Sequence, residues 1–258
     1  MIHPGLVSIT FRKLTPRQIV EATATAGLAG IEWGGDIHVP HGDLARASEI
    51  RRLTLDAGLT VAAYGSYYRA GAPEDESLPF ARVLDTAREL GAPVIRVWAG
   101  GKGAAQTEAA DRAGVVEDCR RIAGLAAEAG IIVASEYHGG TLTDTDASAA
   151  ALLEEVNHPN FKTYWQPRNG ALPDEVLGGL QRVLPRLAHL HVFHWWPDAG
   201  NRRPLAEGAD RWLRYLELAA SVPGDRFAML EFVANDDPAV LAAEAATLKQ
   251  WLKTVVGR

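Results

Sequence analysis

Short apolar runs alternate with longer amphipathic stretches along the whole chain. The runs occupy residues 6–10, 30–33, 60–64, 94–98, 131–136, 161–166, 187–193 and 227–232. They are rich in Val, Ile, Phe and Tyr and are usually preceded by Gly or Pro, the mark of short buried strands. Helix signals lie between them. Thr15-Pro16 sets a capping residue before a proline at the first helical position, and residues 19–26 continue the helix. Thr145-Asp146-Ala147-Ser148 opens a run that ends in Leu152, Leu153 and Val156. Asp237-Pro238 opens a long helix with Leu241, Leu248, Trp251 and Leu252 on one side. Eight strand–helix units of roughly 30 residues consume nearly the whole length. Strict alternation implies a parallel sheet, and eight units close most naturally into an α/β (β/α)8 TIM barrel. A single domain over residues 1–258 is therefore expected. The alternative, an open doubly wound sheet, lacks its Gly-x-Gly-x-x-Gly fingerprint after the first strand. Residues 195–208, after the seventh strand, follow neither pattern and are long enough to cover a pocket.

Composition narrows the function classes. With 47% hydrophobic and 22% charged residues in 258, the chain can build a large core and is no candidate for disorder. Lys and Arg number 26 against 32 Asp and Glu, a net charge of −6 without a basic tail, which argues against nucleic acid as a partner. The single cysteine, Cys119, excludes an intramolecular disulfide and any cysteine-rich metal site. No apolar stretch approaches 18 residues, so no membrane partner is expected. The first residues lack the basic-then-apolar layout of a signal peptide, and a cytoplasmic protein is expected.

In a barrel of this kind, chemistry sits on inward residues at the C-terminal strand ends. Strand five ends in Ser135-Glu136-Tyr137-His138, strand six in Gln166, strand seven carries His189 and His191, and strand eight ends in Leu230-Glu231-Phe232. A carboxylate buried unpaired in that last apolar run would cost several kcal/mol, so it needs a cation or a polar mouth. Any one of these groups alone reads as a satisfied structural residue. Together, Glu136, Gln166, His191 and Glu231 offer a mixed nitrogen and oxygen shell for a divalent metal. His189 lies deeper on the same face and suits packing or support of the shell.

At these residues the sequence resembles the xylose isomerase-like barrel superfamily, in particular its sugar isomerase/epimerase branch of ketose 3-epimerases, hydroxypyruvate isomerases and inosose dehydratases. The resemblance spans essentially the whole chain. Its marks are Gly30-Ile31-Glu32-Trp33-Gly34-Gly35, Val94-Ile95-Arg96-Val97, Ser135-Glu136-Tyr137-His138-Gly139-Gly140, His189-Leu190-His191-Val192 and Leu230-Glu231-Phe232. It implies one divalent metal ion on Glu136, Gln166, His191 and Glu231. Gln166 departs from the Asp usual there, Asn169 from a His three residues on, and Phe193-His194 from a common pair after strand seven. Asp to Gln makes the four-ligand complex formally neutral, which favours Mn²⁺, Co²⁺, Fe²⁺ or Zn²⁺ over Mg²⁺.

The implied reaction is isomerisation or epimerisation of a small-molecule sugar or keto acid. It proceeds through an enediolate, with Glu136 and Glu231 moving the proton from opposite faces. The alternative is a lyase or dehydratase on the same site, with His138 or His194 protonating the departing oxygen. A non-catalytic sugar-binding descendant comes third. The related DNA-repair endonucleases need further ligands on strands two to four that this acidic chain lacks. Arg96, Trp98, Asn169, His194, Arg202 and Glu32 are candidate substrate contacts, Arg96 and Glu32 with the alternative of a buried ion pair. Arg203 shares the loop of Arg202. Trp33, Trp98, Trp195 and Trp196 fall at predicted strand ends, where aromatic faces suit sugars, whereas Trp212 and Trp251 fall on helices and suit the core. Gly100-Gly101-Lys102-Gly103, His38 and His41 read as surface turns. A homodimer or homotetramer would suit a barrel of this size.

Overall fold

The computed structural model describes residues 1–72 and 78–256. Eight parallel strands follow one another around a closed barrel: β1 (Ile2–Val7), β2 (Gly30–Gly34), β3 (Thr60–Ala70), β4 (Val94–Ala99), β5 (Ile132–Glu136), β6 (Phe161–Trp165), β7 (Leu187–Val192) and β8 (Arg226–Leu230). β8 pairs back onto β1 through the register Ile2↔Arg226 to Leu6↔Leu230, so the sheet has no free edge. Helices α1 (Pro16–Thr25), α2 (Leu44–Asp56), α3 (Phe80–Leu90), α4 (Ala109–Glu128), α5 (Asp146–Val156), α6 (Pro173–Val183), α7 (Ala209–Ala220) and α8 (Leu241–Val256) surround it. No helix among the described residues is long and apolar enough to cross a membrane.

The helix starts follow their local chemistry. Thr15 accepts the Gln18 N–H while the Gln18 side chain accepts from the Thr15 backbone, a reciprocal cap with Pro16 at the first position of α1. Thr145 caps α5 by accepting from Ser148. At the first strand the expectation of residues 6–10 needs correction. β1 ends at Val7, and Ser8–Phe11 forms a 3₁₀ turn. The polar Ser8 and Thr10 serve neighbouring strands instead, Ser8 accepting the Gly34 N–H and Thr10 the Phe232 N–H.

Strand alternation sorts the side chains into two layers. Outward Ile31, Trp33, Ile95, Val97, Val133, Trp165 and Leu190 pack under the helices. Inward Val7, Ala63, Val94, Ala134 and Met229 fill the barrel, with Ala62 and Ala188 packed beside them at register shifts in β3 and β7, and these mostly small residues leave room for Tyr164, Arg96 and two histidines. Trp33 is thereby corrected from pocket to core. Its neighbour Glu32 points inward, so the indole points outward, buried, and donates to Thr54 on α2. Trp212 and Trp251 are buried as expected. His38 is buried rather than exposed and bonds Ser8, while His41 bonds the Tyr64 hydroxyl. The Gly100–Gly103 turn leads into Ala104, whose N–H is already taken by Asp144, leaving little attraction for a phosphate.

Candidate active site

Four consecutive strands bring Glu136, Gln166, His191 and Glu231 around one ring nitrogen. Nδ1 of His191 lies 3.1 Å from Gln166 Oε1, 3.3 Å from Glu136 Oε1 and 3.5 Å from Glu231 Oε2. Glu136, His191 and Glu231 can each aim one ligand atom so that all lie within 4.8 Å of one another. Gln166 is oriented by its own amide. Nε2 donates to the Tyr137 carbonyl at 2.6 Å, which turns Oε1 toward the cluster. The other side of the His191 ring, Nε2, meets Glu32 Oε2 at 3.2 Å.

Arg96 knits the carboxylates below the cluster. Its Nε donates to Glu32 Oε1 at 2.8 Å and its Nη1 to Glu136 Oε2. Trp98 Nε1 donates to the same Glu136 oxygen at 2.6 Å. Burial alone would raise the Glu136 carboxyl, but Arg96 and then His191 hold it well below the usual carboxylate range. Glu231 goes the other way. Burial lifts its carboxyl, and the nearby charge of Glu136 adds to the rise against the pull of His191. Among the described residues no hydrogen-bond donor reaches the Glu231 carboxylate, and its nearest ion-pairing atom is His191 Nδ1.

A divalent ion fits this donor set. Glu32, Glu136 and Glu231 carry three negative charges and Arg96 one positive, so with a neutral His191 the buried centre has an excess of two negative charges. Without such an ion, the same excess pushes the His191 ring well above its ordinary pKa: burial would lower it, and Glu231 and Glu32 override that.

The cluster lies at the floor of a cavity of ≈ 290 Å³ at the C-terminal mouth, walled by Arg12, Tyr67, Trp98, His138, Asn169, Trp195 and Phe232 among others. Trp98, His138, Asn169 and Arg96, all candidate site residues, line this cavity. The His138 ring lies 4.6 Å from that of Trp98, and its Nδ1 meets the Gly139 carbonyl at 2.7 Å. The largest of the described cavities, ≈ 790 Å³, opens at the opposite mouth around Val94, Ile132 and Phe227 and holds none of the cluster.

Three expected contacts fall elsewhere. His194 stands three residues beyond His191 and so on the opposite face; it is buried against Gly208 in a separate niche with Trp196 and Arg211. Glu32 is fully buried and does not line the cavity, both its oxygens being engaged by Arg96 and His191. Arg202 pairs with Asp236 at 2.5 Å and lies over the Trp195 and Phe232 rings, fastening the 195–208 segment to the end of β8. Trp196 sits under Arg211, outside the cavity.

Two wall residues escaped the sequence reading. Tyr67 adopts a left-handed φ of 59 just beyond the expected end of strand three, and its hydroxyl accepts from Arg12 at 3.0 Å. Arg12 also pairs with Asp36 at 2.5 Å. The signal for both was polar side chains just past a strand end, hidden because β1 stops early and β3 runs long.

Residues 20–254 match the family described as xylose isomerase-like TIM barrel. A 3-dehydroshikimate dehydratase of Bacillus anthracis is 34% identical over 178 residues, 60% of this chain and 61% of that protein. The chain thus matches less than two thirds of that relative's length. The crystal structure of the probable 3-DHS dehydratase involved in petrobactin synthesis from Bacillus anthracis superposes with a TM-score of 0.77 at 24% identity, covering 96% of this chain and 99% of that one. A D-psicose 3-epimerase solved in the presence of D-fructose gives a TM-score of 0.73 at 19% identity over 100% of both chains. At these identities the superpositions speak for the fold alone.

Proposed function

The chain belongs to the xylose isomerase-like TIM barrel family, and from that premise we propose that it is a divalent-metal-dependent dehydratase. Its substrate would be a cyclic ketone with a β-hydroxyl group, the chemical class that includes 3-dehydroshikimate. One observation carries this reading: the two carboxylates of the cluster are unequal. Glu136 has one oxygen held by Arg96 and Trp98 and the other turned to the ligand cluster, surroundings that keep it ionised. Glu231 has a raised carboxyl and an oxygen without a donor. Inverting a carbon centre needs a competent proton carrier on each face, whereas elimination needs one base and an acid for the leaving hydroxyl. The 34% identity to a dehydratase supports the same choice.

Glu136, Gln166, His191 and Glu231 would hold the ion, with Mn²⁺, Co²⁺, Fe²⁺ or Zn²⁺ preferred over Mg²⁺. The ion supplies a Lewis acid that favours negative charge on a substrate oxygen. Glu231 takes the proton from the carbon beside the carbonyl. His138, protonated at Nε2, delivers a proton to the departing β-hydroxyl, which leaves as water. Glu231 then loses its proton and His138 regains one through solvent, so the net reaction is substrate to enone plus water. Trp98, Trp195 and Phe232 limit water at the reacting carbons. Arg12 and Tyr67 offer polar contacts at the outer wall.

The test is to load the protein with Mn²⁺ and incubate it in D₂O with 3-dehydroshikimate and a panel of ketoses, following products by NMR. Loss of a hydroxyl with formation of an unsaturated or aromatic ring supports the proposal. Deuterium beside the carbonyl with every hydroxyl retained would instead support the isomerase/epimerase reading, in which Glu136 is the second base. Absence of both, with sub-stoichiometric metal, would leave the non-catalytic sugar-binding reading.

A further inference from the structure

We propose that Glu32 is a positioning residue that decides which nitrogen of His191 faces the metal and, through Arg96, which oxygen of Glu136 does so. The inference rests on the metal-centre reading but not on the dehydration chemistry. Glu32 lies on β2, across the barrel from β7, and is 0% exposed. Its Oε2 stands 3.2 Å from His191 Nε2, and its Oε1 accepts from Arg96 Nε at 2.8 Å.

A neutral imidazole has one N–H to place. With the proton on Nε2 it is donated to Glu32, and the Nδ1 lone pair faces Glu136 Oε1, Glu231 Oε2 and Gln166 Oε1, completing a four-donor set. With the proton on Nδ1, one of those three oxygens at most would be satisfied, and the Nε2 lone pair would point at a buried carboxylate. Glu32 therefore makes the metal-binding tautomer the stable one. Its second oxygen fixes Arg96, whose far end holds Glu136 Oε2 and leaves Oε1 turned to the centre. The cradle is tight: a Cβ on Gly65 would lie 2.7 Å from Glu32 Oε1 and 2.8 Å from Arg96 Nη2. Glu32 does not itself line the cavity, so its effect reaches substrate only through His191, Arg96 and Glu136.

The experiment compares the wild type, Glu32→Asp and Glu32→Gln for Mn²⁺ binding by titration calorimetry, with circular dichroism to confirm the fold. Glu32→Asp keeps the charge but shortens the reach; Glu32→Gln keeps the reach but loses the charge. Positioning predicts a Kd weakened about 10- to 100-fold in both variants. Wild-type affinity in Glu32→Asp, with loss in Glu32→Gln alone, would overturn it in favour of a charge effect through space. Wild-type affinity in both would overturn it while leaving the metal centre standing. Absence of Mn²⁺ binding by the wild type would overturn it through its premise, the metal centre itself. Nitrogen-15 NMR of the Zn²⁺-loaded wild type needs no variant: a protonated Nε2 on His191 is expected, and a protonated Nδ1 would refute the assignment.

Discussion

Glu136 and Glu231 are the same residue type a few ångströms apart, yet their surroundings hold the carboxyl of one down and push that of the other up, the contrast on which the proposed base rests. An indole N–H and a guanidinium hold the first; the second has burial and a like charge beside it. Glu231→Gln should therefore retain the fold and lower turnover by about 10²–10⁴-fold, measured by rate assay at saturating Mn²⁺ beside a thermal melt; near-normal turnover would remove Glu231 as the base. In the proposed metal centre the neutral Gln166 would leave the buried excess at two negative charges. Gln166→Asp adds a negative charge to a centre already matched to a divalent ion, so Mn²⁺ affinity should tighten by about tenfold or more while turnover falls. Calorimetry and kinetics on one preparation check both halves. The four candidate ligands stand out in the sequence because each is a polar group at the end of an apolar strand. Glu32, Arg96 and Trp98 were visible as residues, but their partners lie 38 to 159 positions away along the chain.

At the scale of elements, β3 carries more than its apolar pattern suggests. It runs to Ala70, shifts register against β2 and β4, brings Tyr67 to the mouth, and supplies the bare backbone of Gly65 against which Glu32 and Arg96 lie. Gly65→Ala should displace that pair, destabilising the protein by about 1–3 kcal/mol and weakening Mn²⁺ binding. Denaturant melts and calorimetry read the two effects, and an unchanged Mn²⁺ affinity would show that the pair tolerates movement. The segment after β7 behaves as an element too. Trp195 and Arg202 form an antiparallel bridge, and Arg202 ties it to Asp236. Sequence located this cover, but it could not tell a substrate contact from a fastening, since an arginine near aromatics serves either.

Over the whole molecule, folding stability is tied to pH through His189 at the barrel floor. Burial pushes its ring down to about 4 from an ordinary 6.5, with the Ala62 carbonyl facing Nε2 and the Phe227 N–H donating to Nδ1. The folded state keeps the ring neutral while the unfolded chain takes up a proton below 6.5. This contribution is fully present above pH 6.5 and is lost as pH falls toward 4, a change of about 3 kcal/mol. Urea melts across that range should show a shallower decline for His189→Gln than for wild type, and parallel curves would exclude the assignment. By itself the sequence pointed to the barrel, because eight strand–helix alternations close most naturally that way, and to the four candidate ligands, because strand alternation sets which side chains turn inward. Only the tertiary structure decided that His194 turns away, that Arg202 is a fastening, and that Glu32 and Arg96 underlie the shell. Those outcomes depend on which side chains meet across a closed barrel, and no local pattern encodes a contact between strands two and seven.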